Sequence, residues 1–191
     1  MRFFVLGSSG LVGGAFAELA SRHGHTVTGT VTTFTGTPAG VSEKIILNLA
    51  DHAAVSAAIL HAGPDVIINA AAVSEPAKCD DDLTLSQKLN VALPALAARL
   101  ARQLGVRFLH LSSEQVFAGD RAPYAVTDPV APINTYARQK VESERLVHSI
   151  APTLAATIRA PLLMGNSPGG KRRLHERLLG HQPGGRAHVG L

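Results

Sequence analysis

The stretch "RFFVLGSSGLVG", residues 2–13, joins a short apolar segment to a glycine loop and the start of a second apolar pattern. Its first five residues predict a strand, and the spacing of apolar residues over 11–23 predicts a helix. Gly7, Gly10 and Gly13 lie between them with the spacing GxxGxxG. In such a turn the first glycine permits a tight bend, the second a close approach to a pyrophosphate, and the third close helix–strand packing. The alternative is a turn whose glycines serve packing alone.

Segments typical of strands and of helices alternate along the rest of the chain. Strands are predicted over residues 2–6, 25–31, 44–49, 65–72, 106–113 and 155–160. Helices are predicted over residues 11–23, 53–60, 84–104 and 135–149. Pro94 should kink or divide the third of these helices. The alternation predicts an α/β protein, a Rossmann-type doubly wound parallel sheet with helices on both faces. On such a sheet the glycine loop, including Ser9 and Leu11, is expected to bind a dinucleotide.

Composition restricts the classes of partner. Apolar residues make up 46% and charged residues 17% of the 191 positions, which is typical of a globular protein. The single cysteine, Cys79, excludes an internal disulfide and fits a reducing compartment. No apolar run is long enough to span a bilayer, so we expect a cytoplasmic protein without a membrane partner.

Nucleic acid and metal ions are not expected partners. The net charge is +4, and the densest basic cluster, "KRRLHER" at 171–177, contains no aromatic residue on which a base could stack. The nine histidines show no pairing at metal-ligand spacing. The sequence therefore predicts neither a nucleic-acid surface nor a metal site.

The end of the second predicted strand bears on the choice of cofactor. A preference for NAD usually requires an acidic residue there, which binds the ribose 2′-hydroxyl. The chain has "TGTVTTF" instead, and Thr30, Thr32 and Thr33 could donate hydrogen bonds to a 2′-phosphate. NADP is therefore favoured over NAD. After the third strand, Asn48, Leu49 and Asp51 are placed to flank an adenine, although Asp51 could equally cap the following helix.

A tyrosine and a lysine are separated by four positions in "TYARQK", residues 135–140. Residues at this spacing share one face of a helix. An ammonium group near a phenol lowers the pKa of the phenol, which suits a proton donor acting near neutral pH. The spacing also occurs by chance in many helices, so Tyr136 and Lys140 alone do not establish catalysis.

Five motifs occur in an order that resembles a known family. They are the glycine loop, "PDVIINAAA" (64–72), "LNVALPALA" (89–97), "FLHLSSEQVFAG" (108–119) and "PINTYARQKVESE" (132–144). Together they resemble the extended short-chain dehydrogenase/reductases, and most closely the dTDP-4-dehydrorhamnose reductase branch. The resemblance covers about residues 1–165, and the Tyr-x-x-x-Lys pair of that family matches Tyr136 and Lys140.

The resemblance implies a role for each matched residue. Tyr136 would protonate a carbonyl oxygen while hydride arrives from a nicotinamide, Lys140 would lower the pKa of Tyr136 and bind the nicotinamide ribose, and Ser113 would hold the substrate oxygen. Asn90 would support the region around Lys140. The complete set implied to bind the cofactor is Gly7, Ser9, Gly10, Leu11, Gly13, Thr32, Asn48, Leu49, Asn69, Ala70, Ala71, Asn90, Tyr136 and Lys140. Plainer interpretations are a strand end for Ser113, an ordinary helical position for Asn90, and a core cap for Tyr136.

The chain departs from the family pattern at three places. Glu114 and Gln115 follow the catalytic hydroxyl, and since Gln115 cannot accept a proton, dehydration is disfavoured. The loop "EPAKCDDD" (75–82) lacks the usual substrate-side residues, and its three aspartates are more typical of a solvated helix start. The third departure follows residues 1–165, which are expected to form the NAD(P)-binding domain. Where the family usually builds a substrate lobe, residues 166–191 are expected to form a short basic, Gly/Pro-rich tail, the remnant of that lobe.

Two functions remain open at this point. The first is an NAD(P)-dependent reductase that acts on a carbonyl, in particular the keto group of a nucleotide sugar. The second is a non-catalytic dinucleotide-binding or regulatory protein, related to the methionine adenosyltransferase regulatory subunit. For either function, the resemblance implies a homodimer that pairs helices 84–104 and 135–149.

Overall fold

A computed structural model describes residues 1–168. In this part of the chain, six strands form one parallel sheet with the order β3-β2-β1-β4-β5-β6. The strands are β1 (Arg2–Leu6), β2 (Thr26–Val31), β3 (Glu43–Ile46), β4 (Val66–Asn69), β5 (Arg107–Ser113) and β6 (Ala155–Ala160). The order reverses between β1 and β4, and ligands of open parallel sheets bind at the carboxyl ends of such strands.

Helices connect these strands. They are α1 (Leu11–Arg22), α2 (His52–Ala62), α3 (Pro76–Asp81), α4 (Leu83–Gln87), α5 (Leu93–Leu104) and α6 (Thr135–Ile150). A π-helical turn (Lys88–Ala92) lies between α4 and α5, and a 3₁₀ turn (Glu114–Val116) follows β5. No helix in residues 1–168 is long and apolar enough to cross a membrane.

Apolar side chains cover both faces of the sheet. On one face, α1 contributes Ala17 and Ala20, which pack with Val5 and Ile68 of the strands. The larger cluster lies on the other face, where α2, α5 and α6 pack against the strands; its members include Phe4, Ile67, Phe108, Val55, Ile59, Leu93, Ala97 and Val147. The doubly wound α/β fold expected from the sequence is therefore confirmed.

Pro94 divides the predicted helix 84–104, as expected. A proline in a helix lacks an N–H donor and its ring clashes with the carbonyl one turn earlier. Here the chain widens into the π-helical turn just before Pro94, where the Leu93 N–H donates to the Lys88 carbonyl. Pro94 then lies in the first turn of α5, a position that tolerates proline.

Several predicted boundaries were wrong. The third strand ends at Ile46 rather than at residue 49, and the fourth ends at Asn69 rather than at residue 72. Among the three aspartates, only Asp82 begins a helix: its carboxylate accepts from the Leu85 N–H at 2.8 Å. Asp80 and Asp81 lie at the end of α3. The basic cluster at 171–177 and most of the predicted tail lie outside the described residues.

Arg159 on β6 anchors the segment between β5 and α6. Its Nε and Nη2 donate to the Glu144 carboxylate at 3.1 and 2.7 Å, and its Nη1 donates to the Val126 carbonyl at 3.1 Å. The guanidinium carbon also lies 5.1 Å from the centroid of the Phe117 ring. Phe117 in turn stacks on Tyr124 with centroids 4.4 Å apart. Arg159 thus links this segment to both β6 and α6.

We expect Arg159→Met to lower the free energy of unfolding by about 2 kcal/mol, between the values for exposed and for buried ion pairs. The reason is that Glu144, with a side chain only 9% exposed, loses its partner. Urea unfolding measures the change, and the matched control is Arg22→Met, which breaks the exposed Arg22–Glu18 pair. Equal effects of the two substitutions would contradict the anchoring role.

Candidate active site

The glycine loop forms a tight connection between β1 and α1. Gly7 has a φ of 86°, which favours glycine, and the Gly10 N–H donates to the Gly7 carbonyl at 3.0 Å. A Cβ added to Gly13 would lie 2.3 Å from the Gly7 carbonyl oxygen. The first and third glycines therefore have the geometry predicted for a tight turn and for close helix packing. Helix α1 begins at Leu11 without a side-chain cap and without an acidic residue in its first turn, an arrangement that favours an anion.

Two side chains hold this loop against β2. Thr30 Oγ1 accepts from the Gly7 N–H at 3.0 Å and donates to the Val5 carbonyl at 3.3 Å. Ser8 Oγ donates to the Thr30 carbonyl at 2.9 Å, and a Cβ on Gly29 would lie 2.6 Å from that Oγ. Thr30 is fully buried, so the suggestion that it donates to a phosphate was wrong.

The other predicted residues near β2 and β3 lie as follows. Ser9 is buried in the loop, and Thr32 is exposed and donates to the Leu47 carbonyl at 3.2 Å. Asn48 is exposed and accepts from the Ala50 N–H at 3.0 Å, whereas Leu49 packs in the core of the α2 face. Asp51 caps α2 by accepting from the Ala54 N–H at 3.0 Å. The helix-cap interpretation of Asp51 is therefore correct.

The end of β4 lies beside the glycine loop. A Cβ added to Gly7 would lie 3.1 Å from the backbone of Ala71, and the Ala70 N–H donates to the Leu6 carbonyl at 3.0 Å. Asn69 is 1% exposed, and its Oδ1 accepts from the Ala71 N–H at 3.2 Å. The two loops therefore lie side by side at the carboxyl ends of β1 and β4, and the Asn69 side chain braces the second loop from beneath.

Asn90 in the π-helical turn fixes the next segment of the chain. Its Oδ1 accepts from the Val73 N–H at 2.9 Å, and its Nδ2 donates to the Val73 carbonyl at 3.0 Å and to Gln139 Oε1 at 2.7 Å. The Gln139 Nε2 donates to Ser86 Oγ at 2.8 Å. Asn90 thus reaches α6 through Gln139, the neighbour of Lys140 in the sequence. Sequence reasoning did not single out Gln139.

Tyr136 and Lys140 lie on the buried side of α6. Asn134 caps this helix by accepting from the Ala137 N–H at 2.8 Å. The Lys140 Nζ lies 6.0 Å from the centroid of the Tyr136 ring and donates to the Leu111 carbonyl at 2.6 Å. Since Leu111 is two residues before Ser113, the predicted lysine reaches the end of the strand that carries the predicted serine.

The Ser113 hydroxyl makes two hydrogen bonds within the turn that follows β5. Ser113 Oγ donates to Glu114 Oε2 at 3.1 Å and accepts from the Gln115 N–H at 3.2 Å. The Gln115 Oε1 accepts from Asn134 Nδ2 at 3.2 Å, which ties this turn to the start of α6. A substrate oxygen that binds Ser113 must therefore compete with the Glu114 carboxylate.

Two cavities adjoin this turn. Their volumes are about 280 and 200 Å³, and Glu114 and Phe117 line both. The remaining lining residues are Tyr124, Ala125, Val126, Arg159 and Pro161 in the larger cavity and Gln115, Ala118, Gly119, Ile133 and Asn134 in the smaller. Sequence reasoning missed Arg159 and Tyr124. The available signal for Arg159 was a lone charge in the otherwise uncharged strand "AATIRA".

Burial changes the protonation of Lys140. The side chain is 1% exposed, and desolvation lowers its pKa from 10.5 to about 8, against a smaller opposing effect of Glu144. The unfolded chain keeps this proton up to about pH 10.5. Between about pH 8 and 10.5 the unfolded state therefore binds more protons than the folded state, so the stability of the folded protein rises with pH there.

We expect Lys140→Met to be more stable than the original protein at pH 7, by about 3 kcal/mol, because the variant buries no ammonium group. The advantage should shrink as the pH rises from 8 to 10.5. Urea unfolding at a series of pH values measures it. Lys78→Met is the control, since that side chain is 60% exposed, and a change below about 0.5 kcal/mol is expected. A destabilised Lys140→Met at pH 7 would contradict the prediction.

The chain matches one family model and is similar to known proteins. The family model described as "RmlD substrate binding domain" matches residues 1–179. Methionine adenosyltransferase 2 subunit beta of Xenopus laevis is 35% identical over 120 residues, which are 63% of this chain and 36% of that protein. The dTDP-4-dehydrorhamnose reductase of Mycolicibacterium smegmatis is 31% identical over 153 residues, which are 79% of this chain and 42% of that one. The chain thus spans less than half the length of both relatives.

Solved structures share the fold. A hypothetical dTDP-4-dehydrorhamnose reductase from Sulfolobus tokodaii has a TM-score of 0.76 and 26% identity, over 87% of this chain and 58% of that one. The Bordetella bronchiseptica enzyme WbmG, in complex with NAD and UDP, has a TM-score of 0.75 and 22% identity, over 87% of this chain and 55% of that one. The second likeness concerns the fold alone.

Proposed function

The chain belongs to the RmlD substrate binding domain family, and from this premise we propose that it is an NAD(P)-dependent reductase of a nucleotide-sugar carbonyl. The observation that carries the proposal is the buried Lys140, which lies beside Tyr136 and hydrogen-bonds the strand that ends in Ser113. Burying an ammonium group is costly. A lysine in this position therefore favours a catalytic over a purely structural explanation.

In the proposed reaction, Tyr136 donates its phenolic proton to the carbonyl oxygen as that oxygen becomes an alkoxide. The Lys140 ammonium stabilises the phenolate that is left behind, and Ser113 donates a hydrogen bond to the developing charge. A nicotinamide dinucleotide would supply the hydride that forms the new C–H bond. One hydride and one proton convert the ketone into an alcohol.

The proposed dinucleotide would lie across the carboxyl ends of β1 and β4. The glycine loop, with the uncapped first turn of α1, would face its pyrophosphate, and Asn69, Ala70 and Ala71 would form the opposite edge. Thr32 and Thr33 are exposed at the end of β2, where an acidic residue would favour NAD. Their neutral side chains support the proposal that NADP is preferred.

A non-catalytic regulatory role is the second candidate. It is favoured by the 35% identity to methionine adenosyltransferase 2 subunit beta of Xenopus laevis, which is named as one subunit of another enzyme. The same groove could hold a dinucleotide without turnover. A homodimer through residues 84–104 and 135–149 and a cytoplasmic location stay predictions under either candidate.

Calorimetric titration with NADH and NADPH, followed by turnover of a panel of 4-keto nucleotide sugars, tests the proposal. Micromolar binding with turnover of one member supports the reductase. Binding without turnover of any member favours the regulatory role. Binding of neither dinucleotide contradicts both.

A further inference from the structure

His110 lies on β5, the strand next to the edge strand β6, and its fully buried side chain reaches α6. Its Nδ1 lies 3.3 Å from Asn69 Nδ2, and its Nε2 lies 3.0 Å from Ser143 Oγ. Asn69 braces the loop at the end of β4, where the cofactor groove is proposed, and Ser143 is on the helix that carries Tyr136 and Lys140. One imidazole therefore connects the predicted cofactor groove to the predicted catalytic helix.

The hydrogen-bond partners determine which nitrogen carries the proton. The Ser143 hydroxyl donates to the Lys140 carbonyl at 2.8 Å, so its oxygen accepts from an Nε2–H of His110. The Asn69 Oδ1 accepts from the Ala71 N–H, so its Nδ2 faces His110 and donates to a bare Nδ1. Both hydrogen bonds of His110 therefore require a neutral imidazole that is protonated at Nε2.

We propose that His110 is a positioning residue whose two hydrogen bonds hold the groove edge at Asn69 in register with the turn of α6 that carries Tyr136 and Lys140. The proposal rests on the proposed function, because the alignment matters only if a cofactor bound near Asn69 reacts beside the proton donor Tyr136. These hydrogen bonds join parts of the protein that are distant in sequence: Asn69 is 41 residues before His110, and Ser143 is 33 residues after it. Small misplacements of catalytic groups reduce turnover strongly.

The surroundings of His110 keep its imidazole neutral, as its two hydrogen bonds require. Burial is the main cause that lowers its pKa well below 6.5, and the nearby charges of Lys140 and His148 act in the same direction. An imidazolium would present two donors, and the Asn69 amide would then face a donor instead of an acceptor. The neutral form therefore supports both contacts at physiological pH.

Two substitutions separate the two contacts. His110→Asn keeps an amide oxygen near the position of Nδ1 and loses the bond to Ser143. His110→Gln keeps an amide donor near the position of Nε2 and loses the bond to Asn69. His110→Phe fills the ring volume and loses both. Each variant is measured in the full chain for its thermal midpoint, its Kd for NADPH or NADH, and its kcat on a keto nucleotide sugar.

We expect different losses from the two single-contact variants. His110→Gln should raise the cofactor Kd about fivefold with kcat within about twofold, since one hydrogen bond to the groove edge is lost. His110→Asn should leave the Kd within about twofold and lower kcat at least about tenfold, since α6 loses its register. If both variants keep the Kd and kcat of the original protein and only their thermal midpoints fall, His110 has a purely structural role and the proposal is overturned.

Two measurements test the hydrogen bonds of His110 without an activity assay. Long-range ¹H–¹⁵N correlation of the imidazole should show the Nε2–H form, and an Nδ1–H form would overturn the proposal. The effects of Asn69→Ala and Ser143→Ala on the unfolding midpoint should be non-additive, and should become additive in the His110→Phe background. If these hold while no dinucleotide binds, the proposed function fails and the hydrogen-bond chain itself stands as observed.

Discussion

Tyr136→Phe is expected to lower turnover of a keto nucleotide sugar by about 10²- to 10⁴-fold, the usual contribution of a positioned general acid. The substitution removes one oxygen atom from a side chain that is 7% exposed and leaves the ring in place. Affinity for the dinucleotide should change by less than about threefold, because the loss concerns a proton that moves only in the transition state. Steady-state kinetics and calorimetry on the same preparations measure both quantities.

The chain offers a matched control for this substitution. Tyr124 is the other of its two tyrosines, and its hydroxyl donates to Asp120 at 2.6 Å and accepts from the Gly119 and Arg121 N–H groups. Tyr124→Phe removes the same atom from a residue that lines the larger cavity but has no part in the proposed proton transfer, so turnover should fall far less than in Tyr136→Phe. If turnover survives Tyr136→Phe, or falls equally in both variants, Tyr136 is not the proton donor.

Gly13→Ala is expected to abolish dinucleotide binding, with a rise in Kd of at least about 100-fold, and to lower stability by about 3 kcal/mol, the upper range for overpacking. The added Cβ would lie 2.3 Å from the Gly7 carbonyl oxygen and 2.9 Å from the Gly7 carbonyl carbon. Both neighbours are backbone atoms, so α1 must move away from the loop. That movement would displace the helix N-terminus from the proposed pyrophosphate site.

Gly24→Asn is the control for the glycine prediction. Gly24 has a φ of 75°, which asparagine tolerates, and a Cβ there would meet no atom within 4 Å. Cofactor titration and urea unfolding of both variants make the comparison. We expect Gly24→Asn to bind the dinucleotide normally. Retained binding by Gly13→Ala would contradict the assignment of the phosphate site to this loop.

Most of the fold could be predicted from short stretches of sequence. The glycine spacing in residues 2–13, the alternation of strand and helix patterns, and the interruption at Pro94 each depend on interactions within a few residues. Apolar periodicity and turn chemistry are local properties, so they are visible in the chain without its partners. The strand ends at Ile46 and Asn69 were predicted too late, since apolar residues continue after the hydrogen-bonded ladder ends.

The roles of individual polar residues depended on the tertiary structure. Thr30 and Thr32 were equivalent candidates in sequence, yet Thr30 lies within β2 and is buried under the glycine loop, whereas Thr32 follows the strand end at Val31 and is exposed. His110 meets Asn69 and Ser143 only because β4, β5 and α6 are neighbours in the folded protein. The sequence by itself determined the elements and the types of residue at their ends. The partners of each buried polar group were decided by strand order and register, because such contacts join residues that are distant along the chain.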